Sequence, residues 1–281
     1  MNSDARLHSL AKNHDWSGLL EALEAALADS TVASEQADLH LELGRLLQGR
    51  FLQGAKALKH FQDAFKLNPA LVVALGEARG VYWLLGRLNM VQKLLELQLK
   101  HTEGPGASPL FRELGDVLSD VGDQDRATEA YARALQTAAG QPTDAGERLH
   151  DVQLGDAEWQ EQVAFLLRSA REATDAVQRA QCFLRAARIT GRFAPDELEG
   201  MLGQAYAADS RNLEVAALYE ELLTKSGRSD ALLSAQREIL GALAEDESAA
   251  LAVEFGTRWA LRHQNHDIAA RLMEEAVRAA P

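Results

Sequence analysis

Residues 108–136 read SPLFRELGDVLSDVGDQDRATEAYARALQ. The first half of this stretch places apolar side chains at the spacing of one helix face, at Leu110, Leu114, Val117, Leu118 and Val121. Ser108 is placed to cap this helix, with Pro109 in its first turn. Gly122 is expected to end it, because glycine adopts the positive φ of a helix C-terminus without strain.

The second half of the stretch predicts another helix. One face of it carries Ala127, Ala130, Tyr131, Ala134, Leu135 and Ala138. The turn around Gly122 is so short that the two helices are expected to lie antiparallel, as a hairpin. Small residues at 115, 127 and 134 allow the helices to approach closely, while bulky residues fill the gaps.

This hairpin resembles the tetratricopeptide repeat, a helical hairpin of about 34 residues. The positions of that pattern hold Phe111, Leu114, Gly115, Leu118, Gly122, Ala127, Tyr131 and Ala134, with every spacing kept. Weaker versions of the pattern occupy residues 37–69, 72–103, 180–212, 213–246 and 249–281. Helices at about 16–28 and 157–173 resemble second helices of degenerate leading repeats, whose first helices would lie near 4–12 and 145–154.

The chain also repeats on a larger scale. Trp16 recurs as Trp159, at the same offset that separates Arg45 from Arg188. Gly49-Arg50-Phe51 returns as Gly191-Arg192-Phe193 at nearly that offset. This period predicts two homologous modules, residues 1–143 and 144–281, of four hairpins each. The resemblance implies an all-α, right-handed superhelical solenoid of antiparallel helix pairs. Residues 138–146 would form a hinge or a longer loop, and a continuous solenoid is favoured because the flanking helices need neighbours.

Composition narrows the function. The formal net charge of −13 opposes binding to nucleic acid, and no basic stripe offsets it. Neither a signal peptide nor a run of about 20 apolar residues is present, so we expect no membrane insertion and a cytoplasmic protein. Cys182 occupies the position of Leu39 in the other module, which favours a small buried hydrophobe over a reactive thiol.

No motif indicates catalysis. His263-Gln264-Asn265-His266 has a spacing compatible with metal ligation, but a turn after a helix explains it better. The segment GPGASP at 104–109 lacks the Lys-Ser/Thr of a phosphate-binding loop, and no nucleophile motif occurs. The sequence therefore predicts a protein that is not an enzyme and that holds no cofactor and no metal.

The resemblance also implies where a partner would bind. In tetratricopeptide arrays, the first helix of each repeat lines a concave face that usually holds peptides of partner proteins. The candidate partner-binding residues on that face are Arg45, Glu77, Trp83, Arg112, Asp116, Arg188 and Glu221. For Arg45 and Arg188, a salt bridge to a neighbouring helix is an equal alternative. Trp16 and Trp159 could stack on a ligand, but packing between repeats is favoured. Some co-chaperones of this family clamp a C-terminal carboxylate with a set of Lys and Asn side chains. That set is absent from the concave-face positions of this chain, which argues against a heat-shock chaperone tail as the partner.

These observations predict a non-catalytic scaffold that binds an extended or helical segment of a protein partner. One alternative is a regulator whose superhelix changes pitch when a peptide binds. Another is the repeat region of a larger multidomain protein or enzyme. A repeat ends at Pro281 without a polar capping helix, which leads us to expect an unusually well solvated last helix, a longer protein, or self-association through this last repeat.

Overall fold

The computed structural model describes residues 3–279 of the chain, and the side chains of residues 6–279. This range contains sixteen α-helices and no strand, which confirms the predicted all-α class. The helices are α1 (Ser3–Lys12), α2 (Trp16–Asp29), α3 (Ala33–Gly49), α4 (Gly54–Leu67), α5 (Val73–Leu84), α6 (Leu88–Leu99), α7 (Ala107–Asp120), α8 (Gln124–Thr137), α9 (Ala145–Gln153), α10 (Trp159–Glu172), α11 (Ala176–Phe193), α12 (Leu198–Ala208), α13 (Leu213–Lys225), α14 (Ser229–Gly241), α15 (Glu245–Leu261) and α16 (His266–Ala279). The handedness of a superhelix and the division into two modules stay predictions.

The weakly patterned helices at the start of each predicted module are present. They are α1 and α2 in one module and α9 and α10 in the other. Trp16 opens α2 and Trp159 opens α10. The Asp15 side chain caps α2 by accepting a hydrogen bond from the Gly18 amide at 2.9 Å.

The start of α7 differs from the prediction. A 3₁₀ turn at Gly104–Gly106 runs directly into the helix, so the helix begins at Ala107 without a side-chain cap. The predicted cap at Ser108 is therefore wrong. Ser108 lies buried in the first turn, where its hydroxyl donates to the Ala134 carbonyl of α8 at 2.8 Å. The end of the helix is as expected, since Gly122 has a φ of +85°.

The buried face of α8 is narrower than predicted. Ala127, Ala130, Tyr131 and Ala134 are buried, but Leu135 is 39% exposed. One step along a helix rotates a side chain by about 100°, so Leu135 leaves the face that Ala134 occupies. The expectation that Leu135 belongs to the apolar face is wrong.

Two close helix contacts explain the small residues of the repeat pattern. A Cβ atom built on Gly115 of α7 would lie 2.5 Å from a ring carbon of Tyr131 on α8. A Cβ atom on Gly44 of α3 would lie 2.4 Å from the ring of Phe61 on α4. Both distances are shorter than side-chain atoms tolerate, so each glycine admits the aromatic ring of the paired helix. The predicted packing role of Gly115 is confirmed.

The chain divides into two compact units. Unit 1 comprises Met1–Tyr82 with Lys93–Thr102, and unit 2 comprises Trp83–Gln92 with Glu103–Pro281. In unit 1, helices α1 to α4 pack in sequence, each on the next, and Leu23, Leu43 and Leu46 lie in the core. In unit 2, each helix from α7 to α16, except α9, packs on the next one along the chain. Helix α9 packs instead on α7, α8 and α11.

Candidate functional site

Unit 2 contains an open cleft of about 640 Å³. Its walls come from the turn between α5 and α6, the turn between α7 and α8, and helices α11, α12 and α13. Six leucines line it: Leu88, Leu184, Leu198, Leu202, Leu218 and Leu222. A largely apolar wall with a few polar groups is typical of binding sites, and the volume lies in the range for small ligands and short segments.

The charged side chains of the cleft lining are mostly positive. They are the cations Arg87, Arg188, Arg192 and Lys225, and the carboxylates Asp120 and Glu221. Four cations face two carboxylates, although the whole chain carries a net charge of −13. The lining is therefore a local exception within a negatively charged protein.

A buried group of charges lies beside this cleft, and we call it the Asp116 cluster. Its members are Arg112, Asp116, Asp120, Tyr131, Arg148, Arg188 and Glu214. Asp116 of α7 is 1% exposed and accepts hydrogen bonds from side chains of α7, α8, α9 and α11. The donors are Arg112 at 2.6 Å, Tyr131 at 2.8 Å, and Arg148 and Arg188 at 3.1 Å each. One carboxylate thus joins four helices.

Arg188 of α11 pairs with all three acids of this cluster. Its guanidinium holds Asp120 with two hydrogen bonds, Nε to Oδ1 at 2.7 Å and Nη2 to Oδ2 at 3.1 Å. The same group pairs with Asp116 at 3.1 Å and with Glu214 of α13. A planar guanidinium suits this use, because its donors lie in a fixed fork that matches carboxylate geometry. Arg188 therefore connects α11 to both α7 and α13.

Burial and neighbouring charges shift the pKa values of the three acids of the cluster in different directions. Burial acts to raise the pKa of Asp116, but Arg148, Arg188 and Arg112 together lower that pKa below its ordinary value. Burial raises the pKa of Asp120 in spite of its bond to Arg188. Burial also raises the pKa of Glu214, to about 7, with Asp116 and Asp120 adding repulsion. The cluster holds one firmly ionised carboxylate and a second acid that titrates near neutral pH.

Arg192 sits one helical turn beyond Arg188 on α11. Its guanidinium donates to the carbonyls of Asp151 at 3.2 Å, Val152 at 3.0 Å and Leu154 at 3.3 Å. These carbonyls lie at the end of α9, where cations satisfy unpaired backbone groups. Burial lowers the pKa of Arg192, and no carboxylate in the described part of the chain opposes that shift.

The structure brings three of the predicted partner-binding residues together. Arg112, Asp116 and Arg188 meet in the Asp116 cluster, so each already has partners within the chain. Glu221 lines the cleft and pairs with Lys225 at 2.6 Å. Trp83 is buried, and its Nε1 donates to Glu113 at 2.9 Å.

The remaining two predicted residues lie in unit 1. Arg45 donates to Glu77 at 2.9 Å, and it also pairs with Glu42 at 3.0 Å. Arg45 and Arg188 thus both form the salt bridges of the alternative interpretation. Binding of a partner by these residues stays a prediction.

The two tryptophans at matched positions contact neighbouring side chains. The Arg50 guanidinium lies over the Trp16 ring at 4.2 Å, and Trp159 stacks on Phe193 at 5.5 Å. Both rings take part in apolar clusters with helices of the next hairpin. These contacts favour the packing interpretation over ligand stacking.

Sequence reasoning missed Asp120 and Arg148 as members of the Asp116 cluster, and Arg192 as a cleft residue. Asp120 had a visible signal, because it follows Asp116 by four residues and shares its helix face. Arg192 belongs to the repeated Gly-Arg-Phe triplet, which marked it as a matched position without indicating its role. Arg148 belongs to the repeated Arg-Leu-His triplet of residues 6–8 and 148–150, which likewise marked a matched position without indicating its role.

The structure also bears on the predictions for the His263–His266 segment, for Cys182, for metal ligation and for a membrane span. His263, Gln264 and Asn265 lie in the predicted turn after α15, and His266 is the first residue of α16. His263 Nε2 lies 3.0 Å from Glu220 Oε2. Cys182 is half-buried, and burial raises the pKa of its thiol. Across residues 3–279, no three His, Cys, Asp or Glu side chains converge as metal ligands. Within the same range, no helix has the length and apolar character that a membrane span requires.

Comparison with known proteins gives structural similarities only. No protein-family profile matches the chain, and no curated protein sequence does. Among solved structures, a tetratricopeptide repeat protein from Parabacteroides merdae is 14% identical with a TM-score of 0.46, covering 99% of this chain and 92% of its own. YrrB, described as a TPR protein with an unusual peptide-binding site, is 19% identical with a TM-score of 0.42, covering 70% and 97%.

A third similar structure is the TPR2AB domain of yeast Sti1 in complex with pHSP90. It is 14% identical with a TM-score of 0.36, covering 86% of this chain and 99% of its own. Likenesses this distant do not carry the ligands of those proteins over to this chain. The described residues form helix pairs in sequence, and these three similar solved structures are tetratricopeptide repeat proteins.

Proposed function

We propose that this protein is a non-catalytic, cytoplasmic interaction scaffold, and that the cleft in unit 2 binds a segment of a partner protein. The observation that carries the proposal is the cleft itself, in which six leucines surround an open volume of about 640 Å³. Four of these leucines, Leu88, Leu198, Leu218 and Leu222, are only half-buried, and their exposed apolar surface is costly in water unless a partner covers it. The prediction that the protein does not bind nucleic acid is part of the proposal.

The helix order supports a binding surface built by repetition. Helix α2 begins at Trp16 and α10 at its matched position Trp159, and each of the eight helices α1 to α8 has a counterpart among α9 to α16. We infer that the two predicted modules are copies of one eight-helix unit. A repeat array supplies its surface from many helices, which suits extended segments better than small substrates.

The test is a selection of random dodecapeptides displayed on phage against the intact chain. Val121 lines the cleft and is 50% exposed, so Val121→Trp fills the site without disturbing the core. Val177→Trp is the matched control, because Val177 is 51% exposed and lies outside the cleft lining. We expect selected peptides that bind the wild type and Val177→Trp but lose at least about tenfold in affinity for Val121→Trp. Selected peptides that bind all three proteins equally would contradict the proposal.

A further inference from the structure

The cleft in unit 2 carries positive charge that no carboxylate among the described residues neutralises. Arg87 lies exposed in the turn between α5 and α6, and it forms no ion pair with any residue in the described part of the chain. An exposed arginine keeps its full charge and its freedom to reorient. It is therefore available to an anionic group that enters the cleft.

Arg192 is the second such cation. Its hydrogen bonds go to three backbone carbonyls, which are dipoles and carry no net charge. Within the described residues, no carboxylate lies within ion-pair distance of its guanidinium. The end of α9 supplies only partial negative charge to this half-buried cation, and an anion in the cleft would complete its compensation.

The other charges of the lining are already balanced. Arg188 is bound by three carboxylates of the Asp116 cluster. Lys225 pairs with Glu221 at 2.6 Å at the edge of the cleft. The surplus positive charge thus belongs to Arg87 and Arg192. The predicted partner-binding arginines, Arg45, Arg112 and Arg188, are each paired with carboxylates of the chain.

We propose that the cleft selects a peptide segment in which an Asp or Glu side chain neighbours leucine-like apolar side chains. This inference rests on the proposed function and specifies the chemistry of its partner. The acidic side chain would pair with Arg87 and approach Arg192, and the apolar side chains would cover Leu198, Leu218 and Leu222, which are only half-buried in the free protein. Charge complementarity of this kind raises the association rate and rejects basic segments.

The composition of the selected peptides is the first test. Among dodecapeptides that depend on the open cleft, we expect enrichment of Asp and Glu beside Leu, Ile, Val or Phe. Cleft-dependent peptides that are neutral or basic would overturn this inference and leave the proposed function standing. A selection that yields no cleft-dependent peptide would overturn both.

A charge-reversal pair tests the cations directly. We compare Arg87→Glu with Arg271→Glu, since Arg271 is exposed on α16, lies outside the cleft and makes no described ion pair. Both variants change the net charge equally, so general repulsion affects them alike. Fluorescence anisotropy with a selected acidic peptide should show at least about a tenfold loss of affinity for Arg87→Glu and a change within about twofold for Arg271→Glu.

The same peptide with Asp and Glu replaced by Asn and Gln completes a double-mutant cycle. It should bind the wild type at least about tenfold more weakly than its acidic parent, and it should lose little further affinity for Arg87→Glu. Equal losses for both arginine variants, or independent losses from the peptide and from Arg87→Glu, would show that Arg87 does not contact the acidic group and would overturn the inference.

Discussion

Arg45 in unit 1 and Arg188 in unit 2 occupy matched positions of the two predicted modules, yet their surroundings differ. The Arg45 side chain is 42% exposed and pairs with Glu42 and Glu77 at the surface. The Arg188 side chain is 9% exposed and pairs with Asp116, Asp120 and Glu214. The same residue at the same repeat position is thus a surface ion pair in one region and the centre of a buried cluster in the other.

The difference shows that burial decides what an ion pair contributes. An exposed pair is screened by water and salt and contributes about 0–1 kcal/mol. A buried pair has lost its hydration, so removal of one partner leaves an uncompensated charge and costs about 3–5 kcal/mol. Matched positions in a repeat protein therefore do not imply matched energetics.

The largest expected effect comes from Arg188→Ala. Because this change leaves Asp116 and Asp120 short of a counter-charge in a buried site, we expect the free energy of unfolding to fall by about 3–5 kcal/mol. Arg45→Ala should lower it by no more than about 1 kcal/mol. Urea denaturation of both variants measures the difference.

A double-mutant cycle with Asp120→Ala sharpens this result. If Arg188 and Asp120 act together, the double variant should lose less stability than the sum of the two single variants. Losses of the same size for Arg45→Ala and Arg188→Ala would remove the distinction between the two regions.

The second prediction concerns a glycine–aromatic contact that occurs once in each region. Gly115→Ala and Gly44→Ala would each place a Cβ atom against an aromatic ring, of Tyr131 and of Phe61. Overpacking of this kind should lower the free energy of unfolding by about 1–3 kcal/mol in both cases. Gly80→Ala is the control, because Gly80 lies within α5 with open space around its Cα, and alanine there should stabilise the helix by about 0.5–1 kcal/mol. Thermal unfolding that ranks Gly115→Ala with Gly80→Ala would contradict the proposed close approach.

These contrasts show which features the sequence could predict. Helix pairing and the glycine–aromatic contact followed from spacing, because neighbours within a hairpin are fixed by the local pattern. The neighbours of Arg188 could not be read in this way, since Asp116, Asp120 and Glu214 lie 72, 68 and 26 residues away in the chain. For the same reason the sequence marked Arg188 as a partner-binding candidate, although three carboxylates already hold it, and it did not mark Arg87, which makes no ion pair with the described residues.

The third effect concerns pH in unit 2. The pKa of Glu214 in the folded protein is raised to about 7 by burial, with Asp116 and Asp120 adding repulsion and Arg188 and Arg148 opposing it. A raised carboxyl pKa means that the folded state binds more protons, so this contribution to stability is present below about pH 4.5 and is lost as pH rises through 7.

The substitution Glu214→Gln should remove the loss of stability that ionisation of Glu214 causes as pH rises. The free energy of unfolding of the wild type relative to Glu214→Gln is expected to fall between pH 5 and pH 8, by an amount on the order of 1 kcal/mol. Urea denaturation of the two proteins across that range provides the measurement. A difference that is constant or grows with pH would mean that Glu214 stays ionised when folded.

The smallest expected effect is a pH dependence of stability in unit 1, opposite in sign to that of Glu214. His40 of α3 and His60 of α4 place their Nδ1 atoms 2.9 Å apart, so one ring must donate and the other must accept. Burial lowers the pKa of both rings below 6.5, and Lys59 adds to this while Asp63 and, for His60, Glu24 oppose it. The unfolded state then binds more protons, so stability is present above about pH 6.5 and is lost as pH falls below it.

His60→Asn should flatten this dependence between pH 5 and pH 7 while leaving that of Glu214 unchanged, because the two groups lie in different units. NMR titration of the imidazole protons gives an independent measurement, and a pKa above 6.5 for either ring would contradict the lowering of the pKa by burial. If both pH effects are correct, mild acid weakens the contact between α3 and α4 and strengthens the Asp116 cluster, so the two regions of this chain respond to pH in opposite directions.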